Sequence, residues 1–400
     1  MQIQDFFLQL VIIFLSARLF GEWAARFKIP SVIGELLAGI ILGPSIFGLI
    51  NPTDTIRLLA DIGIILLLFE VGLETDFYRL KQTGIKPVIV ALIGVIVPFA
   101  LGFFICYTFF NLSFLVSFLV GCTLTATSIG ITVRVLTDLK RQSSDEAQIV
   151  LGAAVIDDII GIILLSVVHE VASGKTIEAW NVGKIALFIF LFLLFAPFAA
   201  KLISSIIRHY EDKSEIPGLI PTSMVALILF FGWMAHKVGA PELLGGFAAG
   251  LAMSPHFFGG LGNFLKINEA FTHKIELQMK PIIHIFAPIF FVTVGLSLNM
   301  REISWDSTFI WLLSISLLIA AVIGKLASGF ALLKAPSRMK WAVGLAMIPR
   351  GEVGLIFIEL GKSSKTLNQD IYAALLIVIA VTTMLTPLAM RYFYGRFASK

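Results

Sequence analysis

The chain has 400 residues, of which 58% are hydrophobic and 14% charged, and a formal net charge of +4 at pH 7. A soluble domain carries about 25% charged residues, so this composition excludes one and points to a membrane. The charge balance is too mild to imply a nucleic-acid partner, there is no GxxxxGKS or GxxxxGKT loop to indicate a nucleotide-driven pump, and Cys106 and Cys122 match no zinc spacing.

Thirteen apolar runs are each long enough to cross about 30 Å of hydrocarbon. They cover 4–25, 30–48, 56–78, 86–110, 113–137, 145–171, 181–208, 218–237, 241–259, 279–299, 307–333, 340–361 and 368–393. They are continuously apolar rather than alternating, which excludes a β-barrel and predicts an all-α membrane protein. Run 1 opens MQIQDFF, with an acid and no base, so it is not a cleaved signal peptide. Its positive charges, Arg26 and Lys28, follow it and place the N-terminus outside. With that start and the C-terminus inside, the inner loops and tail hold 20 Lys and Arg, the outer loops hold seven, and Arg18, Lys325 and Arg350 fall within runs.

Run 2 reads PSVIGELLAGIILGPSIF from Pro30 to Phe47 and contains Glu35; run 3 contains Asp61 and Glu70, while Glu74 and Asp76 sit at its inner end. Run 5 includes VGCTLTATSIGITVRVL, where Gly130 weakens the helix and Thr125, Thr127 and Ser128 offer hydroxyls, either to their own helix backbone or to a ligand. Run 6 includes VLGAAVIDDIIGIILLSVV and places Asp157 and Asp158 in hydrocarbon. Each ionised carboxylate at a helix centre costs about 2.5–3.5 kcal/mol, so the pair reads as an ion or proton site. Adjacent residues project about 100° apart on a helix, which lets one aspartate face a cavity and the other a neighbouring helix. His284, in run 10, is open to a pH-sensing or an interfacial hydrogen-bonding role. Lys325, in run 11, either snorkels along the helix or forms a buried ion pair with one aspartate. Run 12 reads WAVGLAMIPRGEVGLIFIELG. Pro349 removes an amide and clashes with the turn before it, so the helix is expected to break there. Arg350 and Glu352 then compensate exposed helix ends or neutralise each other.

Runs 2 and 9 are similar at an offset of 211 residues: Pro30, Gly34, Ala38, Gly39, Pro44 and Phe47 recur as Pro241, Gly245, Ala249, Gly250, Pro255 and Phe258. At an offset of 223, Val71-Gly72-Leu73 recurs as Val294-Gly295-Leu296, and Val120-Gly121 as Val343-Gly344. Each pair of runs is seven apart, an odd number, so mates lie in opposite orientations. The expectation is a six-plus-six inverted-topology repeat with run 7 as connector, and two discontinuous helices, runs 5 and 12, crossing near the midplane. Secondary transporters are built this way.

The motifs IPSVIGELLAGIILGP, LTATSIGITVRVL, AAVIDDIIGIILL, the lysine of run 11 and PRGEVGLI together resemble the cation:proton antiporter 2 family, in particular its bacterial NapA-type sodium/proton antiporters. The resemblance covers essentially the whole chain. It implies the NhaA-like antiporter fold, no enzyme activity, no cofactor beyond the transported Na⁺ and H⁺, and a role in pH homeostasis in a bacterial cytoplasmic (inner) membrane. It makes Asp158 the essential cation- and proton-binding aspartate and Asp157 the acid that pairs with Lys325. Residues 1–78 and 218–299 become a panel that forms a homodimer contact, 181–208 a linker helix, and 86–171 with 307–393 a mobile transport core. The related glutathione-gated potassium branch usually differs at the first aspartate and carries a cytoplasmic nucleotide-binding domain, which this chain is expected to lack. K⁺/H⁺ antiport and sodium-coupled solute symport on a similar fold are the competing functions.

Overall fold

The structure is a computed structural model that describes residues 3–27, 29–74, 83–172, 179–211, 218–239, 241–254 and 269–397. These form fifteen α-helices and no strand. In chain order they are α1 (Ile3–Arg26), α2 (Ser31–Leu42), α3 (Asp54–Glu74), α4 (Lys86–Phe104), α5 (Phe114–Thr123), α6 (Ile129–Asp138), α7 (Asp145–Ala172), α8 (Ala179–Glu211), α9 (Leu219–Lys237), α10 (Glu242–Met253), α11 (Glu269–Ser297), α12 (Thr308–Phe330), α13 (Ser337–Ala346), α14 (Glu352–Ser363) and α15 (Gln369–Phe397). A π-helical turn, Ile105–Phe109, extends α4.

Helices lie at every expected position, and among the described residues seven of them, α1, α4, α7, α9, α11, α12 and α15, are long and apolar enough to cross a membrane. For runs 2, 3, 5, 9 and 12 the shortfall has physical causes. Helices α2 and α10 have 12 residues each, about 18 Å by helical rise, because Pro30 and Pro241 open them and the helical geometry ends at Gly43 and Ser254. The last residues of run 9, with Pro255 and Phe258, lie outside the described residues. Runs 5 and 12 are each cut in two. The first is interrupted at 124–128 between α5 and α6, the second at 347–351 between α13 and α14. Helix α3 carries Asp54, Arg57, Asp61, Glu70 and Glu74.

The chain divides into two compact units. The first comprises Met1–Pro52, Ile85–Val182 and Val292–Lys400; the second comprises Thr53–Gly84 and Gly183–Phe291. This division differs from the panel and core groups expected above, since α1 and α2 fall in the same unit as α4–α7 and α12–α15.

In the first unit α4 packs on α12, α5 and α7, while α15 packs on α12, α13 and α14. Buried side chains of α5, α12, α14 and α15, including Leu119, Leu313, Leu317, Phe357 and Leu376, form its apolar core. Helix α12 is apolar on two faces. Leu312, Ile315, Ile319 and Ile323 are exposed, as suits a lipid-facing stripe, while Leu317, Ala321, Gly324 and Lys325 are buried. Small residues set the closest approaches. A Cβ at Gly34 would overlap the carbonyl of Phe20 on α1, and one at Gly39 would overlap that of Val292 on α11. In the second unit, a Cβ at Gly245 would overlap the carbonyl of Phe231 on α9, and one at Gly250 that of Phe69 on α3. Such contacts are how membrane helices, lacking a hydrophobic drive between them, approach closely.

Candidate functional site

The two chain breaks in the first unit are bonded to each other. Ser128 N–H donates to Pro349 O at 2.8 Å, Thr132 Oγ1 donates to Ala346 O at 2.8 Å, and Arg350 Nη1 donates to Ala126 O at 2.9 Å. From α15, Thr383 Oγ1 donates to the carbonyl of Arg350. A break frees carbonyls and amides that hydrocarbon cannot solvate, and here each of these four carbonyls finds a donor. A Cβ at Gly351 would press on Ser128 Oγ, so glycine is what lets the two strands of chain meet. Ser128 Oγ accepts the N–H of Ile131 at 3.4 Å and caps α6.

Helix α7 packs against α5, α6, α13 and α14, the halves of both broken helices. It presents Asp157 and Asp158 there, both buried at 2% and 5% exposure. Lys325 of α12 is fully buried, and its Nζ lies 3.0 Å from Asp157 Oδ2. Snorkelling is thereby excluded: the side chain sits on the packed face of α12, not the lipid face. The same Oδ2 accepts the hydroxyl of Thr127 at 2.5 Å, whereas Asp157 Oδ1 is buried with no hydrogen-bond partner among the described residues.

The remaining expected residues sort by partner. Thr125 Oγ1 bonds back to Cys122 O at 2.7 Å, the local use of a hydroxyl in a helix end. Arg350 is fully buried; its Nε and Nη2 have no hydrogen-bond partner among the described residues. Its position beside Ala126 O is a base against the carbonyl end of α5, in the sense the helix dipole favours. Glu352 opens α14, but its side chain is outside the described ones, and so is its expected neutralisation with Arg350. His284 is exposed on α11, and Glu70 is half-buried on α3.

Two features were not anticipated from sequence. Thr132 and Thr383 supply the hydroxyls that hold the breaks together. The signal was present, since Thr132 lies one turn beyond Ser128, and Thr382, Thr383 and Thr386 form a hydroxyl cluster in an otherwise apolar helix. The second feature ties α2 to α6. Asp138 Oδ2 accepts both the N–H and the hydroxyl of Ser31, at 3.1 and 3.0 Å, so a carboxylate from another helix caps α2. Arg134 Nη2 donates to Ser31 Oγ at 3.1 Å and lies 3.6 Å from the buried Glu35 Oε1. Ser31 and Asp138 are 107 residues apart, and no local pattern announces the contact.

The sodium/hydrogen exchanger, transmembrane family matches residues 11–391. The chain is 31% identical to the high-affinity Na⁺/H⁺ antiporter NhaS3 of Synechocystis sp., over 95% of this chain and 88% of that one. It is 30% identical to the Na⁺/H⁺-K⁺ antiporter GerN of Bacillus cereus, over 98% and 97% of the two chains. Its fold resembles the sodium proton antiporter MjNhaP1 of Methanocaldococcus jannaschii, with a TM-score of 0.73 at 19% identity over 100% of this chain and 98% of that one. The architecture is therefore the all-α NhaA-like antiporter fold with two discontinuous helices, in a multi-pass membrane protein that is a transporter and not an enzyme. The chain belongs to the sodium/hydrogen exchanger, transmembrane family.

Proposed function

We propose that the protein exchanges Na⁺, or Li⁺, for H⁺ across the membrane by alternating access at a midplane aspartate site. The observation that carries this is the Asp157–Lys325 pair, closed at 3.0 Å with the lysine fully buried, next to a second buried carboxylate, Asp158, at the crossing of two broken helices. Intramembrane acids of this kind mark ion and proton pathways. The names of NhaS3 and GerN point the same way.

Exchange needs one site that takes a cation or protons but not both. Na⁺ is the substrate that binds deprotonated Asp158, with carboxylate, hydroxyl and carbonyl oxygens as hard ligands; Thr127 and Ser128 supply oxygens at the break. Its binding loosens Asp157 from Lys325, and protonation on the other side releases it. If Lys325 also gives up its proton, two protons move per Na⁺ and transport is electrogenic. In proteoliposomes, Na⁺ added outside should dissipate an imposed proton gradient; an Asp158→Asn protein that still does so at the wild-type rate refutes the reading. A current per Na⁺ unchanged in Lys325→Gln removes the lysine as a proton carrier. K⁺/H⁺ exchange is the second reading, favoured by the likeness to GerN, and the same vesicles loaded with K⁺ decide it.

The remaining architecture belongs to the same proposal: thirteen crossings in a six-plus-six inverted repeat, N-terminus outside and C-terminus in the cytoplasm, a homodimer in a bacterial cytoplasmic membrane, and the NapA-type branch of the cation:proton antiporter 2 family. The repeat is supported by recurring contacts. Gly34 against Phe20 recurs at an offset of 211 as Gly245 against Phe231, and the Gly39–Gly295 crossing as Gly250–Gly72. The sidedness is supported by hydrogen bonds joining ends that the topology puts together: Ser31 with Asp138, Phe27 with Arg391 and Glu146 with Tyr394 at one side, Ser45 with Leu298 at the other. The excess of loop arginines and lysines on the first of these sides supports reading it as the cytoplasmic one. The branch rests on the motif set quoted above. In the proposed division of labour α4–α7 and α12–α15 move as the transport core while spans 1–3 and 8–10 form the panel and dimer contact.

A further inference from the structure

At the far end of α15 a cavity of about 710 Å³ is lined by three arginines, Arg141, Arg391 and Arg396, with Tyr392 and Tyr394. Its apolar wall is Leu139 and Leu388. Arg141 comes from the loop after α6, and its guanidinium lies over the ring of Tyr394, 5.5 Å from the centroid. Arg396 Nη1 donates to Tyr392 Oη at 2.7 Å. Arg391 Nη1 makes a long contact, 3.4 Å, with Phe27 O. The nearby carboxylate, Glu146, accepts the hydroxyl of Tyr394 at 3.4 Å, and none of the three guanidiniums has a carboxylate within ion-pair distance among the described residues. Three like charges thus line one open space, two of them lying over aromatic rings.

We propose that this cavity binds a phosphoryl anion, carried by an anionic phospholipid headgroup or by a soluble phosphate. Guanidinium is the side chain suited to forked contacts with phosphate oxygens, and basic pockets between membrane helices near the cytoplasmic surface are where phospholipid headgroups lodge. The wall of Leu139 and Leu388 beside the arginines is the pairing an acyl chain and its headgroup would meet, so the lipid is the better fit. The site is separate from the aspartates of α7 and does not depend on which cation is exchanged.

The test uses the purified full-length protein in a neutral detergent, with its melting temperature followed against phosphatidylglycerol, phosphatidylcholine and inorganic phosphate. Phosphatidylglycerol is expected to raise the melting temperature in a saturable way, with phosphatidylcholine giving no rise. In Arg141→Gln/Arg396→Gln the apparent affinity should be about a hundredfold weaker, about tenfold for each guanidinium that loses a charge-assisted hydrogen bond. A rise with inorganic phosphate as well assigns the soluble source; a rise with the lipid alone assigns the headgroup. No rise with either, an equal rise with phosphatidylcholine, or an equal rise in wild type and variant overturns the proposal. Should the double variant fail to fold, Arg396→Gln at its exposed position gives the same readout.

Discussion

Helices α7 and α15, mates at an offset of 223 in the proposed repeat, both pack against halves of both broken helices. What they bring there is different. Helix α7 brings two carboxylates, Asp157 and Asp158; the matching positions of α15 are Ala380 and Val381. Helix α15 instead brings Thr383, whose hydroxyl holds the carbonyl of Arg350, and Thr382 and Thr386, which bond back into their own helix. Lys325 likewise has Gly102 as its match. In the proposed repeat one position therefore carries charge on one side and backbone support on the other. A crossing can be duplicated freely, whereas every buried charge must find its own partner.

The comparison breaks most visibly in transport. Asp158→Asn should reduce Na⁺-driven proton flux in proteoliposomes to the level of empty vesicles, whereas Thr383→Val should keep more than half of it. A folded Thr383→Val protein without flux would move α15 into the chemistry. Next in size is the charge pair. Asp157→Asn leaves Lys325 buried without its counter-charge and should destabilise the protein by about 3–5 kcal/mol in reversible unfolding; adding Lys325→Met should restore much of that loss. If the double variant is no more stable than the single one, the pair is not a coupled unit. Smaller effects test the proposed repeat. Gly39→Ala and Gly250→Ala each place a methyl on a carbonyl of the facing helix, at about 1–3 kcal/mol apiece. Similar losses in thermal melts sharpen the equivalence of the two crossings, and a large disparity breaks it. Thr383→Val, which leaves one carbonyl unpaired, should cost the least, about 1 kcal/mol.

Much of this was legible in the residues. Pro349 and Gly351 announce one helix break, and the run of hydroxyls at Thr125, Thr127 and Ser128 announces the other. A pair of aspartates in hydrocarbon has few uses, so Asp157 and Asp158 mark the candidate site before any fold is known. Lys325 was ambiguous for a physical reason: a long side chain near a helix end reaches either water or a neighbour, and sequence does not say which face of α12 is packed. The contacts of Ser31 with Asp138 and of Thr383 with Arg350 were invisible, because a hydroxyl or a carboxylate has many possible partners at a distance and only packing chooses one. The shortness of α2 and α10 also escaped a reading by hydropathy, since Gly43 and Ser254 end the helix without ending the apolar run.

Composition, periodicity and the placement of charge were sufficient by themselves to place the chain in a membrane, order its helices, locate the two breaks and single out the carboxylates. These depend on transfer free energy and backbone sterics, which act residue by residue. Which face of α12 carries Lys325, which carbonyls the freed hydroxyls satisfy and how closely the glycine crossings approach were decided only by the tertiary structure. Those outcomes depend on rotation about helix axes of a few tens of degrees, and a one-dimensional pattern does not hold that information.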